Sequence, residues 1–459
     1  MSYSSYIQVN SLKNQQKINL SKEILAFLNS FVRNDDLSET ATPEEILKFV
    51  KVMGNHKNTA DEIQELKNGY FASYGTDNKL TIYNKQFNVI LPGDNLDDWI
   101  SYILEITSSE KIEKDIQIII CTNQSLYLNQ INLEKVTSRI QRYEYGGMLC
   151  LELKKNNYVI CGHEGADHFS DLFSKIIQSK KNRLFNEAYR GGIILNQNLV
   201  AFSSNVCMPG GEDKIKFYNP NSKKIVREIA DYSFILSPNG LTLIESKNDD
   251  KKLNKIFLAA CKKYYDNQKN GILAMISEFG ESESMIHKFY DTGNFEVHCF
   301  CSLSIVDKKD INIFINNEIK KTKTDYFLVG GFDQDSRQGL IKLYKAKFDE
   351  NPDETFIEFI QDIKVEKRNK IPENIQELLN NKEYSIDEEG MKKLREYKQK
   401  KLKDCNIFTN FRGAVSSITQ SSLYGNILVS CYDGNIYLLT PPNLEYYLKM
   451  DEEIESNYR

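Results

Sequence analysis

One hairpin pattern constrains this chain more than any other feature: an apolar strand, a turn and a second strand ending near an aromatic, written seven times. The copies begin at Tyr70 (YFASYGTDNKLTIYN), Ile116, Asn157, Asn198, Lys255, Tyr326 and Asn426 (NILVSCYDGNIYLLT). A single hairpin cannot bury both of its faces, so a series must stack. Stacking in a closed circle also leaves no long sheet edge open.

An apolar segment precedes each hairpin and can supply an inner strand: EILAFLNSF (Glu23 to Phe31), WISYILEI, GMLCLELK, GGIILN, SFILSPNG, FEVHCFCSL and GAVSSITQ. Six hairpins are followed by a candidate outer strand: QFNVI, RIQRYEY, NRLFNEA, KKIVREI, IHKFYD and FIEFIQDI. The last copy ends at Pro441 and Pro442, which lack backbone donors. KINL (Lys17 to Leu20) is the candidate to fill its missing position. The reading is therefore all-β: a seven-bladed β-propeller of four-stranded antiparallel blades, one domain over 1–459, with the ring at 17–440 and a tail at 441–459.

Two insertions interrupt the repeat. Over 33–69, Thr42-Pro43-Glu44-Glu45 and Thr59-Ala60-Asp61-Glu62 each place a hydroxyl three residues before a glutamate, predicting a helical hairpin in the first blade. Over 364–410, Pro372 and Ser385-Ile386-Asp387-Glu388 mark helix starts. There the stretch from Met391 to Lys403 reads as a basic amphipathic helix, either solvated on its own blade or a docking arm for an acidic partner.

SFILSPNGLTL (Ser233 to Leu243) resembles the inner strand, Ser-Pro-Asp-Gly turn and next strand of WD-repeat propellers, with Asn239 in place of aspartate. SCYDGNIYLLT resembles their Ser-x-Asp-Gly turn, and Asp77, Asp213, Asp333 and Asp433 fall in or near equivalent turns. The chain departs from that family in lacking Gly-His and Trp-Asp signatures: its only tryptophan is Trp99. The resemblance implies a ring closed by a strand from one terminus completing the blade begun by the other.

A formal charge of -5 with both signs interspersed gives no electrostatic reason to expect nucleic acid. No run approaches the ~18 apolar residues of a membrane span, and the first residues lack the apolar core of a secretory leader. Of the nine cysteines, Cys121, Cys161, Cys261 and Cys431 occupy equivalent positions near the end of a strand. Such equivalence predicts small buried thiols and a reducing, cytoplasmic compartment.

The search for chemistry finds little. His163, Glu164, Asp167 and His168 are dense, but the two histidines are five apart in a glycine-flanked turn, whereas the helical zinc motif needs a spacing of about four. Alternation places Cys299 and Cys301 on one strand face and His298 on the other. There is no Gly-x-Ser-x-Gly elbow and no phosphate-cradling loop of the Walker type. YRGG (Tyr189 to Gly192) and FRGA (Phe411 to Ala414) each carry one arginine, short of the paired arginines that phosphoinositide recognition by propellers uses. No catalytic residue, metal ligand or cofactor is assigned.

The remaining candidate is a face. Trp99, Tyr145, Tyr189, Arg190, Tyr232, Phe411 and Arg412 fall at or near junctions where an outer strand hands over to the next inner strand, beside the mouth of a propeller's channel. Trp, Tyr and Arg provide rigid contact area and planar donors, the composition of a binding hot spot; wedging between blades is the competing role. The expectation is a non-catalytic scaffold for protein partners in a multiprotein complex. The alternative is a propeller enzyme with a metal or cofactor in its channel, for which Glu105 and Glu152 are the acidic inner-strand residues singled out.

Overall fold

The computed structural model describes residues 46–66, 69–93, 96–106, 115–154, 157–162, 165–169, 183–185, 189–204, 214–229, 240–246, 255–265, 268–276, 287–306, 321–349, 351, 353–363, 411, 413–445 and 447–449. Two compact units divide the chain. One comprises Met1–Val52, Lys364–Asn410 and Asn443–Arg459, and the other Met53–Ile363 and Phe411–Pro442. In the first unit, the Asn443 N–H donates to the Ile46 carbonyl at 2.9 Å, and Leu448 N–H to Leu444 C=O at 3.0 Å in a short helical turn. Ile46, Leu47, Val50 and Leu444 are buried there.

The second unit holds the repeat. Strand β1 spans Phe49–Asn55. Then follow β2 (Ala60–Glu65), β3 (Phe71–Gly75), β4 (Leu80–Tyr83) and β5 (Val89–Leu91) as a first sheet, and β6 (Ile100–Glu105), β7 (Asp115–Thr122), β8 (Leu126–Asn132) and β9 (Thr137–Tyr143) as a second. The third contains β10 (Leu149–Lys154), β11 (Asn157–Gly162), β12 (Gly165–Phe169) and β13 (Arg183–Phe185); the fourth β14 (Tyr189–Asn196), β15 (Leu199–Ser204), β16 (Ile215–Asn219) and β17 (Lys224–Ile229). The fifth has β18 (Leu241–Glu245), β19 (Lys255–Tyr265), β20 (Gln268–Ile276) and β21 (His287–Asp291). The sixth has β22 (Phe295–Val306), β23 (Lys321–Asp333), β24 (Gln338–Lys347) and β25 (Phe356–Ile363). A last sheet is ordered β1-β28-β27-β26, from β26 (Val415–Gln420), β27 (Ile427–Cys431) and β28 (Asn435–Leu439).

Apolar side chains join the first six sheets in succession. Ile82 and Tyr74 of the first pack with Ile103 and Ile118 of the second. Ile119 and Leu126 pack with Tyr158 and Ile160, Val159 and Cys161 with Val200 and Phe202, Phe217 with Phe257, and Leu258 with Phe327. First strands meet first strands: β10 touches β6 and β14, β14 touches β18, β18 touches β22, and β26 touches both β22 and β2. These are therefore the inner strands, and the four-stranded antiparallel sheets radiate from them as a propeller ring.

The outer strands read from sequence are close to those observed, from RIQRYEY in β9 to FIEFIQDI in β25. The first blade is corrected. Residues 49–65 are not a helical hairpin but contain β1 and the inner strand β2. Thr59 does not cap a helix; its hydroxyl donates to Asp61 Oδ1 at 2.7 Å and lies 3.0 Å from Thr76 Oγ1. EILAFLNSF and KINL lie outside the described residues, as does the expected helical insertion at 364–410. The strand completing the last sheet is β1, whose exit residue His56 donates its N–H to the Gly434 carbonyl at 2.7 Å. The inner strand of the fifth sheet is LTLIE rather than SFILSPNG, of which only Gly240 is described.

Candidate functional site

Each sheet is antiparallel, so the start of an inner strand lies beside the turn joining the second and third strands, as Ala60 pairing with Gly75 places Thr59 next to Asp77. The face expected to bind a partner is built from these entries and turns. On the first sheet, His56 Nδ1 is 2.8 Å from Asp77 Oδ1 and Nε2 is 2.9 Å from Ser73 Oγ, which lies 3.0 Å from the Tyr83 hydroxyl. Lys57 N–H donates to Asp77 Oδ2 at 3.0 Å. Burial pushes the Asp77 carboxyl up, but the hydrogen bonds from His56 and Lys57 outweigh it and leave the group below its ordinary value. The result is a rigid polar pin from the chain entering β2 to the outer part of the same sheet.

Five inner strands carry a β-bulge near their start. The extra residue is Asp61 in β2, Ser101 in β6, Arg190 in β14, His298 in β22 and Ser416 in β26. A bulge re-aims its side chain out of the alternating pattern, and four of these five are described as reaching the next sheet around the ring. Ser101 Oγ donates to Gly147 O at 3.1 Å, and Ser416 Oγ to Ala60 O at 2.5 Å. The His298 ring sits 5.7 Å from that of Tyr432. Asp61 Oδ2 accepts the indole N–H of Trp99 at 3.0 Å.

Trp99 is 38% exposed although its backbone and ring are both anchored. Its N–H donates to Asp98 Oδ1 at 2.8 Å, and Asp98 Oδ2 accepts the Gln124 N–H at 3.0 Å. Beside it, Arg142 spans Asp97 Oδ2 at 2.8 Å and Ser125 Oγ at 3.0 Å. Burial raises the Asp61 carboxyl above its ordinary value, against the pull of the Thr59 and Trp99 donors.

The other expected face residues have different fates. Tyr145 is half-buried and donates its hydroxyl to Asp167 Oδ2, while Asp167 Oδ1, also buried, accepts no hydrogen bond. Tyr189 and Arg190 belong to β14 by backbone, with side chains outside the described residues; Tyr232 and Arg412 lie outside them entirely. Phe411 is corrected: it is only 3% exposed, edge-on to Tyr437 at 5.2 Å, and its carbonyl takes the Gly339 N–H at 3.0 Å. Gly339 lies against Phe411 Cβ, so this phenylalanine wedges the sixth sheet to the last. Tyr432, unmarked in sequence, is 43% exposed in the β27–β28 turn and belongs on the face. Its signal was position: it precedes Asp433-Gly434, the turn most like Ser-x-Asp-Gly.

The His298 bulge also alters the alternation expected of β22. Cys299 and Cys301 are buried, whereas His298 lies 3.5 Å from Glu296 and has a buried Nδ1 that makes no hydrogen bond. Cys121, Cys161 and Cys431 are free, buried thiols as expected, as are Cys150, Cys299 and Cys301. Burial pushes Cys150, Cys161, Cys299 and Cys431 above the ordinary thiol value, which suppresses the reactive thiolate. Glu152 accepts the Tyr158 hydroxyl at 3.2 Å, and His163, Glu164 and the His168 side chain lie outside the described residues. Among the described residues no group of three or more His, Cys, Asp or Glu is arranged to hold a metal ion, and no helix is long and apolar enough to cross a membrane.

No protein-family model matches the chain, and no curated protein matches it in sequence. Among solved structures, a chain of Kuenenia stuttgartiensis hydrazine synthase is similar in fold, with 9% identity and a TM-score of 0.48 over 84% of this chain and 96% of that one.

Proposed function

We propose that this chain is a non-catalytic protein-interaction scaffold, a seven-bladed, WD-repeat-like propeller that presents one face to a protein partner in a cytoplasmic complex. The observation carrying the reading is Trp99: a large aromatic left exposed while Asp61 and Asp98 hold its ring and backbone in place. An aromatic fixed in this way loses little conformational freedom on binding, which is what makes tryptophan effective at the centre of an interface. Tyr432 and Tyr145 extend the surface, and Tyr189, Arg190, Tyr232 and Arg412 remain proposed members of it. The buried free thiols support a reducing compartment.

The test is affinity recovery of tagged full-length protein from its own cells, beside a Trp99→Ala variant with unchanged melting. A stoichiometric partner that falls about tenfold or more with the variant is expected. A chain recovered alone, or equal recovery by both forms, would overturn the assignment of this face.

A further inference from the structure

We propose that Glu62 is a neutral, proton-donating acid in mildly acidic solution, and that its ionisation as the pH rises through neutrality loosens the hold of Asp61 on Trp99, making the exposed face pH-responsive. The argument begins with a count of hydrogens. Glu62 lies on β2, 7% exposed, and the Tyr74 hydroxyl is within hydrogen-bonding distance of its Oε2 and 3.1 Å from the Ser101 carbonyl of the neighbouring sheet. The phenol has one hydrogen. If Glu62 is a carboxylate, two acceptors compete for it, and one contact is left without a proton. If Glu62 is protonated, it donates to the phenol oxygen and Tyr74 donates onward to Ser101. The arrangement therefore holds one more proton than an ionised site would.

The surroundings agree. Asp61 adjoins Glu62 on the same strand, Tyr74 faces it from β3, and Tyr102 lies near from β6. Cys121 and Cys150 flank Tyr102, His56 and Asp77 flank Asp61, and β26 brings the hydroxyls of Ser416 and Ser417 against β2. Burial, opposed by the Tyr74 hydrogen bond and reinforced by the Asp61 charge, raises Glu62 to about 7. Losing the proton places a negative charge one residue from the carboxylate that holds the Trp99 indole at 3.0 Å. The switch stands apart from the scaffold reading; only its use in binding rests on the face proposed above.

Trp99 is the only tryptophan, so selectively excited fluorescence of the full-length chain reports the indole environment with no partner present. A titration from about pH 5 to 9 should show one transition with a midpoint near 7 in the wild type. Glu62→Gln, which keeps the shape of the neutral acid, should remove it. Tyr74→Phe removes the hydroxyl partner of Glu62 and should shift the midpoint, a check that stands if the glutamine variant folds poorly. A flat wild-type titration overturns the proposal. So does a transition unchanged in Glu62→Gln, or a midpoint unmoved in Tyr74→Phe.

Discussion

The seam between the fourth and fifth sheets and the seam that closes the ring are made of different materials. The first is apolar: Phe217 and Phe257 meet edge-on at 6.1 Å among Ala201, Ile215, Leu241 and Ile276. At the second, hydroxyls of the last sheet reach backbone carbonyls of the first. Ser416 donates to Ala60, and Ser417 and Thr419 both donate to Ile63, at 3.2 and 2.7 Å. Glu65 accepts the Ser422 N–H at 2.8 and 2.9 Å and its hydroxyl at 2.7 Å. Neighbouring sheets in sequence find each other through short connections, and non-directional burial is sufficient to hold them. The closing partners are more than 350 residues apart, and apolar contact alone would tolerate a slipped register. Directional hydroxyl-to-carbonyl bonds specify one.

Substitutions can break this contrast in order of expected size. Phe257→Ala empties a fully buried site in the apolar seam and should cost about 3–5 kcal/mol, read as a global fall in thermal or denaturant stability. Gly434→Ala comes next. Gly434 has φ +87°, and a Cβ there would stand 2.5 Å from His56 O and 2.6 Å from Asn58 O, so the alanine should cost about 2–3 kcal/mol and open the β1 edge. Ser416→Ala should cost about 1–2 kcal/mol, but its loss of hydrogen-exchange protection should concentrate in β2 and β26 rather than spread over the ring. Uniform loss in that variant would mean that the closing seam has no separate stability. Arg142→Ala lies in neither seam, and its exposed pair with Asp97 should be worth less than about 0.5 kcal/mol by melting.

What could be read in advance follows the same division. Segments buried by side-chain contact were legible, because alternation in FIEFIQDI or a run such as IQIIICT records burial directly. Strand β2 was not. ADEIQE carries three acidic residues, since Asp61, Glu62 and Glu65 are hydrogen-bonded to Trp99, Tyr74 and Ser422 on other strands and loops. Partners so distant in sequence leave no local period, and the Thr59-to-Glu62 spacing imitated a helix cap. On the candidate face, Trp99 and Phe411 were both chosen for their place at strand junctions, and one is exposed while the other is buried: junction position alone does not distinguish an aromatic that faces solvent from one that packs against Tyr437.

The bulges at the inner-strand starts bear on how relatives of this chain should be sought. Asp61, Ser101, His298 and Ser416 perform one geometric task, an extra residue turned toward the following blade, with three different chemistries: a carboxylate, two hydroxyls and an imidazole. Within this one chain the place where the backbone steps out of register recurs while the side chain there changes. Another chain meeting the same geometric need could share the ring with little residue-by-residue likeness. Its kin would be recognised by the recurring position of the misstep in each innermost strand.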